Sequence, residues 1–167
     1  SRAEVLRFVK ERSEWIERER YRRAVATAQS KPWTAGTAIL LRGEPTRLAV
    51  EPVDARRLRV MFAGHAFTAP AEAASNLRPH VERELCRLAG VELRARLDQL
   101  AALHGFSVAH VTIRAQRSRW GSCSRTGRIS LNWRLIQFSP RVSDYVLLHE
   151  LTHIRHPNHS PRFWREV

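Results

Sequence analysis

Hydrophobic positions along this chain change their spacing several times, and each change predicts a different element. Between residues 3 and 29, Val5, Trp15 and Ile16 recur at helical spacing among many charged side chains, which predicts a solvated N-terminal helix. Between Pro32 and Pro70, apolar and polar residues alternate in short runs that are separated by turn formers. This pattern predicts a small antiparallel β element.

The β element divides into a hairpin and a further pair of strands. Residues 37–41 and 47–50 predict the hairpin, with turn residues around Gly43 between them. Residues 58–62 alternate strictly, and a turn at Ala63-Gly64 precedes a short apolar stretch at Ala66-Phe67. We therefore expect three or four short strands here.

Helical spacing returns after residue 75. Leucines recur every three or four residues on both sides of Gly90, which predicts two helical segments with a break at this glycine. Gly105 follows the last periodic residue and predicts the C-terminal stop.

The last third of the chain predicts two strands and then a helix. Residues 111–114 and 129–135 alternate as strands do, and residues 117–127 between them are rich in turn formers, which predicts a connecting loop or hairpin tip. Ser139-Pro140 then has the composition of an N-cap followed by proline at the first helical position. No Gly or Pro interrupts residues 141–156, so a helix is expected there.

Candidate chemistry lies inside this helix, in the H-E-x-x-H spacing of His149, Glu150 and His153. Residues four apart share one face of a helix, so the two imidazoles can hold one Zn²⁺. Glu150 then lies beside the first ligand, where it can take a proton from a metal-bound water that attacks a carbonyl. Three fixed positions also arise by chance in helices, but the predicted cap and the surrounding apolar residues favour the metal site, although Arg155 departs from the usual apolar pattern.

A third ligand is expected from beyond the helix. His156 lies seven residues from His149, a rise of about 10.5 Å, which is too far for both rings to reach one ion. Pro157 ends the helix, and His159 can then turn back toward the metal. Glu166 is the alternative third ligand. His156 is expected to be an outer contact of the site or to face solvent.

Size, charge and cysteine content restrict the function classes. With 167 residues and 43% hydrophobic residues, the chain can build one core and is not a disordered polymer. It has no apolar run long enough for a bilayer, its first residues lack the long apolar block of a secretory signal, and it has only two cysteines, so we expect a cytoplasmic protein. The net charge of +13 favours anionic partners, so nucleic-acid association is a further prediction, although no nucleic-acid-binding motif accompanies it.

Several blocks together resemble the YgjP-like family of metal-dependent hydrolases, which is similar to the SprT-like zincins. The match is dense from about residue 110 to 166 and looser before it, and its blocks are QRSRWGSC (116–123), ISLNWRL (129–135), DYV with HELTH (144–153) and NHSPRFW (158–164). Several distinct blocks in the correct order make the resemblance specific.

The resemblance implies an α+β zincin-like metallopeptidase fold. It implies an N-terminal helix and β portion over 1–70 packed on a catalytic domain over 71–167, with zinc on His149, His153 and His159 and with Glu150 as the base. The substrate is undefined in the family, but SprT-like relatives act on proteins bound to DNA. Relatives usually continue past the Phe-Trp block, which predicts a C-terminally truncated chain.

The block 116–123 has two interpretations. In the functional one, Arg117 or Arg119 stabilises the oxyanion of the reaction, and Cys123 is a regulatory thiolate. In the structural one, which we favour for Trp120, Gly121 and Cys123, the block packs a hairpin onto the metal helix. Arg119 and, on the following strand, Asn132 are the candidate substrate-binding or transition-state residues.

Two functions are therefore compared. The first is a zinc-dependent metallopeptidase that binds protein or peptide substrates, with the strand 129–135 beside the cleft and able to pair with an extended peptide. The second is a non-catalytic basic module, in which a structural metal stabilises a surface for nucleic acid or an acidic protein. We favour the enzyme, because such a module has no need of Glu150 beside the first ligand.

Overall fold

The computed structural model describes residues 31–167, so the helix predicted over 3–29 lies outside the described residues. Residues 32–116 and 120–167 form one compact unit of small sheets and a few helices, which confirms the α+β class. The domain boundary predicted at residue 70 also concerns the N-terminal helix and stays a prediction.

Within the described residues, the strands are β1 (Ala38–Leu41), β2 (Glu44–Arg47), β3 (Ala49–Asp54), β4 (Arg57–Phe62), β5 (His65–Pro70), β6 (His110–Arg114), β7 (Gly121–Cys123) and β8 (Arg128–Asn132). The α-helices there are α1 (Arg78–His104), α2 (Pro140–Thr152) and α3 (Pro161–Glu166). Short 3-10 helices cover Ala71–Ser75 and Trp133–Gln137.

The first five strands form two antiparallel sheets. β1 pairs with β2 in a hairpin, and β3, β4 and β5 form a meander in that order. The predicted hairpin is confirmed and Arg47 pairs with Ala38, but the second strand is Glu44–Arg47 instead of residues 47–50, because it begins directly after the turn. Arg42 and Gly43 form this turn with φ angles of 53° and 85°, and two such residues in a row favour a tight two-residue connection between antiparallel strands.

The third sheet contains the strands nearest the candidate site. Its order is β6-β8-β7, with β8 parallel to β6 and antiparallel to β7. The segment predicted as a loop over 117–127 therefore contains a strand. The strand predicted over 129–135 ends at Asn132, whose side chain accepts a hydrogen bond from the Arg134 N–H at 3.1 Å and caps the 3-10 helix that follows.

This sheet order also corrects the predicted role of the 129–135 strand. Because β8 has a paired strand on each side, it has no edge to offer a peptide. The edge strands of this sheet within the described residues are β6 and β7.

The two helical segments predicted on either side of Gly90 are one helix, α1. A glycine inside a helix costs about 1 kcal/mol relative to alanine. Here Leu85, Leu88 and Leu93 are buried on the same helix, and the free energy of this burial outweighs the cost. The predicted stop at Gly105 is confirmed, since this residue has a φ of 67° and caps α1 in the left-handed conformation.

The helix α2 is held firmly against the rest of the unit. Its first helical residue is Pro140, as predicted, and the buried Ser143 hydroxyl donates to the Leu135 carbonyl at 2.7 Å. Leu147 and Leu151 are buried on its inner face. The helix ends at Thr152, four residues earlier than predicted.

One hydrophobic core joins these elements. It takes buried side chains from β1, β4, α1, β8, the second 3-10 helix and α2. None of the helices in residues 31–167 is long and apolar enough to cross a membrane.

The core position of α1 predicts a contrast between two of its leucines. Leu97 is 0% exposed, whereas Leu103 is 76% exposed. Leu97→Ala should lower the free energy of unfolding by about 2–5 kcal/mol, because it leaves a cavity, and Leu103→Ala should change it by about 0.5 kcal/mol or less. Urea unfolding at one fixed metal concentration measures both, and equal effects would contradict the assigned burial.

Candidate metal centre

Three imidazoles converge at the end of α2. His149, His153 and His159 each offer one ring nitrogen, and these atoms all lie within 4.8 Å of one another. The Nε2 atoms of His149 and His159 are 3.1 Å apart. Within residues 31–167 this is the group of His, Cys, Asp or Glu side chains placed to share a metal ion.

The local structure explains why the three rings meet. His149 lies on the last turns of α2, and His153 is the C-cap residue but keeps helical angles, so both side chains stay on one face. The chain then turns, and Ser160 caps α3 by accepting a hydrogen bond from the Phe163 N–H at 3.4 Å. This return brings His159 to the two histidines of α2.

Two aromatic residues of α3 pack against the cluster. Phe163 is fully buried, and its ring centroid lies 4.7–4.9 Å from those of all three histidines. The indole of Trp164 stacks on His159 at 5.4 Å with an interplanar angle of 23°. These contacts restrict the ring orientations, His159 most of all.

Hydrogen bonding sets the tautomer of His153. Its Nδ1 lies 3.1 Å from the carbonyl oxygen of His156, and since a carbonyl only accepts, Nδ1 carries the hydrogen and donates it. The lone pair of the neutral ring is then on Nε2. A backbone carbonyl in this position is a common orienting partner for a metal-binding histidine.

His156 and Glu166 lie outside the histidine cluster. His156 Nε2 is 2.8 Å from a Glu166 carboxylate oxygen, and the other oxygen of Glu166 pairs with Arg155. Arg155 also donates to the carbonyls of His104 and Gly105 at the end of α1. Arg155, at a position where an apolar residue is usual, thus links the segment after α2 to α1 and α3.

The environment keeps the first histidine neutral. Burial, together with the neighbouring His153 and His159, lowers the pKa of His149 to about 4. At neutral pH its ring is uncharged, which is the form that binds a metal ion.

Glu150 projects toward β7. Its side chain is only 6% exposed, although it belongs to a cleft. A Cβ on Gly121 would lie 2.5 Å from Glu150 Oε1 and 2.6 Å from its Cγ, closer than real Cβ contacts allow. The backbone of β7 therefore approaches the Glu150 carboxyl group at a distance that only glycine permits.

The cleft itself measures about 450 Å³ and is open to solvent. Its lining comes from β7 and the turn after it, and from α2 and the segment that follows α2. The lining residues are Gly121, Ser122, Cys123, Ser124, Arg125, His149, Glu150, His153, Pro157 and His159.

The remaining candidate residues lie elsewhere. Asn132 is 0% exposed, its amide nitrogen donates to the Gln116 carbonyl at 2.8 Å, and it does not line the cleft. Arg119 is exposed, belongs to the segment 117–119 outside the compact unit, and is not among the lining residues. Their roles in substrate binding stay predictions.

Cys123 lines the cleft and is half-buried. Burial, together with the nearby Glu150 carboxylate, raises the pKa of its thiol to about 11. The group is therefore a protonated thiol at neutral pH, whose Sγ donates to the Ser124 carbonyl, and a regulatory thiolate finds no support here.

Two residues of the site were missed as such. Phe163 was noted only as part of the block 158–164, yet its position four residues after His159, across the Ser160 cap, was a signal that both lie close together at the start of a short helix. Gly121 is 29 residues from Glu150 along the chain, and no local sequence pattern predicts their contact.

Comparisons with known proteins show the family of this chain. No curated protein matches the chain. The crystal structure of the metallopeptidase zymogen of Pyrococcus abyssi abylysin is 27% identical over 44% of this chain and 74% of its own, with a TM-score of 0.41, which is too low to define a shared fold. A family model described as the YgjP-like metallopeptidase domain matches residues 1–167, the whole chain. The chain belongs to the YgjP-like metallopeptidase family.

Proposed function

We propose that this protein is a zinc-dependent metallopeptidase in which His149, His153 and His159 bind the metal and Glu150 is the general base. The observation that carries the proposal is the convergence of three imidazole nitrogens directly beside a buried carboxylate. We further propose that the α+β arrangement around this helix is zincin-like.

The donor set fits zinc. Two nitrogens bound to one tetrahedral Zn²⁺ at the usual 2.0–2.1 Å lie about 3.3 Å apart. The Nε2 atoms of His149 and His159 are 3.1 Å apart, close to that value. Imidazoles also accept other divalent ions, so zinc is argued from the ligand type and number and is checked by elemental analysis.

The number of ligands favours catalysis over a structural site. Structural zinc is bound by four protein side chains, whereas catalytic zinc keeps three and leaves one position open. No fourth His, Cys, Asp or Glu joins the cluster among residues 31–167. This supports the enzyme over the basic module with a structural metal.

The chain's own groups then have defined tasks. When bound, zinc polarises the scissile carbonyl and lowers the pKa of a water molecule. Glu150 accepts the proton of the attacking water and passes it to the amine that leaves. Its burial against Gly121 holds the carboxyl group in place, so little reorganisation is needed before proton transfer.

β7 supplies a surface for an extended substrate. It is one of the two edge strands of its sheet within the described residues and it lines the cleft, so its outer backbone groups can pair with a peptide by strand addition. This replaces the strand 129–135 as the expected partner of the substrate. Association with nucleic acid, predicted from the net charge of +13, stays a prediction.

Removal of the base tests the reaction. Glu150→Gln keeps the size of the side chain but cannot accept the proton, so peptide hydrolysis should fall by about 10²–10⁴-fold while zinc stays bound. Glu72→Gln makes the same chemical change on an exposed residue outside the cleft lining and is the matched control. Hydrolysis at the native rate by zinc-loaded Glu150→Gln would disprove the mechanism.

A pair of variants tests the third ligand. His159→Ala removes one of three proposed donors, so zinc affinity should fall by more than the 10–100-fold typical of an outer contact. Glu166→Gln should reduce it by about tenfold or less, because Glu166 pairs with Arg155 and His156. Competition with a chelator measures both affinities, and the reverse order would assign the ligand to Glu166.

A third pair tests the approach of β7. Gly121→Ala places a methyl group where the Glu150 carboxyl lies, so kcat should fall by about 10²-fold while zinc affinity and KM change little. Gly90→Ala adds the same methyl group in α1, where nothing lies within 4 Å of it. An unchanged kcat in Gly121→Ala would show that the position of Glu150 does not depend on this glycine.

A further inference from the structure

The cleft carries one guanidinium at its rim. Arg125 is the single Arg or Lys among the lining residues, and the buried Glu150 is the single carboxylate. Arg125 is exposed, and within residues 31–167 no carboxylate pairs with it. Seven other arginines of residues 31–167 pair with Asp or Glu. What distinguishes Arg125 is its place in the lining of the cleft, without a carboxylate partner in the described residues.

The backbone that carries Arg125 is well fixed. Ser124 N–H donates to the Arg128 carbonyl at 2.9 Å, and the Arg128 N–H donates back to the Ser124 hydroxyl at 3.1 Å. Gly127 closes the turn with a φ of 70° and donates to the Ser124 carbonyl at 3.0 Å, and its own carbonyl accepts from Ala109 at 2.9 Å. Arg125 therefore stands on a rigid turn between β7 and β8.

Its distance from the reaction centre sets what it can contact. Gly121 lies against Glu150, and Arg125 follows four residues later. Four residues of extended chain span at most about 13 Å. A peptide paired with the edge of β7 would thus pass Arg125 about two to four residues away from its scissile bond.

We propose that Arg125 makes this enzyme selective for substrates that carry Asp or Glu two to four residues from the cleaved bond, on one side of it. The inference rests on the proposed peptidase function and deepens it by naming the substrate class, acidic peptides. The guanidinium forms a charge-assisted pair with the substrate carboxylate, which at an open site is worth about a three- to tenfold preference.

The test is cleavage of a random peptide mixture by the zinc-loaded protein, with the cleavage sites read by mass spectrometry. Asp and Glu should be enriched at one or more positions two to four residues from the bond. For two matched peptides that differ by Asp against Asn at that position, kcat/KM should favour Asp by about three- to tenfold. Arg125→Gln should bring this ratio close to one. Arg125→Glu should reverse the charge preference, so that kcat/KM is higher for a matched peptide with Lys at this position than for the Asp peptide.

The control separates local from long-range attraction. Arg128→Gln removes the same charge from the net +13, on an exposed residue three positions away that does not line the cleft. It should keep the wild-type ratio. Equal losses in Arg125→Gln and Arg128→Gln, or no enrichment of acidic residues at these positions, would overturn the proposal.

Failure of the peptidase assignment is distinguishable from failure of this inference. Cleavage without acidic selectivity contradicts only the role of Arg125, whereas absence of cleavage contradicts the proposed function. In the second case, fluorescence anisotropy of labelled Asp-containing and Asn-containing decapeptides on the zinc-loaded protein decides the selectivity of the cleft. An Asp preference that Arg125→Gln abolishes supports it, and equal affinities refute it.

Discussion

The site depends on the packing of α3 against the end of α2. Two histidines on one face of α2 place two nitrogens on the same side of the helix, but they do not supply a third. The turn that leads into the Ser160 cap brings the third ring to them. Phe163 is buried beneath all three imidazoles, so the hydrophobic contact that fixes α3 also fixes the spacing of the nitrogens. The packing of α3 against α2 thus also holds the three rings at distances from one another that suit a shared ion.

A second constraint comes from the opposite wall of the cleft. β7 lies so close to Glu150 that a methyl group on Gly121 would overlap its carboxyl group. The same strand is one of the two edge strands of its sheet within the described residues and lines the cleft, so the backbone that confines Glu150 also faces the groove where a substrate would bind. Because Gly121 has no side chain, one strand contacts both the proposed base and the proposed substrate, and their positions depend on each other.

The sequence predicted what depends on local periodicity and capping. Residues near each other in the chain predicted helix α2 with its start at Pro140, the stop of α1 at Gly105 and the β4–β5 hairpin. The predictions were wrong where contacts between residues distant in the chain determine the structure. Gly90 stays helical because leucines on both sides of it are buried. Trp133 and Leu135 continue the alternation of β8, but they lie in a 3-10 helix in which both are buried, so the pattern resembles that of a strand. Three residues of β7 are too few to show a pattern, although pairing with β8 defines them.

The positive charge of the chain has different meanings at different places. Arg42 pairs with Glu92 and Arg96 with Asp144, so part of the arginine content links separate elements and adds little long-range field. Arg125 has no such partner within residues 31–167, and its position at the cleft matters more than the net charge, because screening weakens distant charges but not a contact within the groove. An acidic substrate would therefore be recognised by one placed guanidinium, whereas a general affinity for polyanions would spread over the surface and fall steeply with salt.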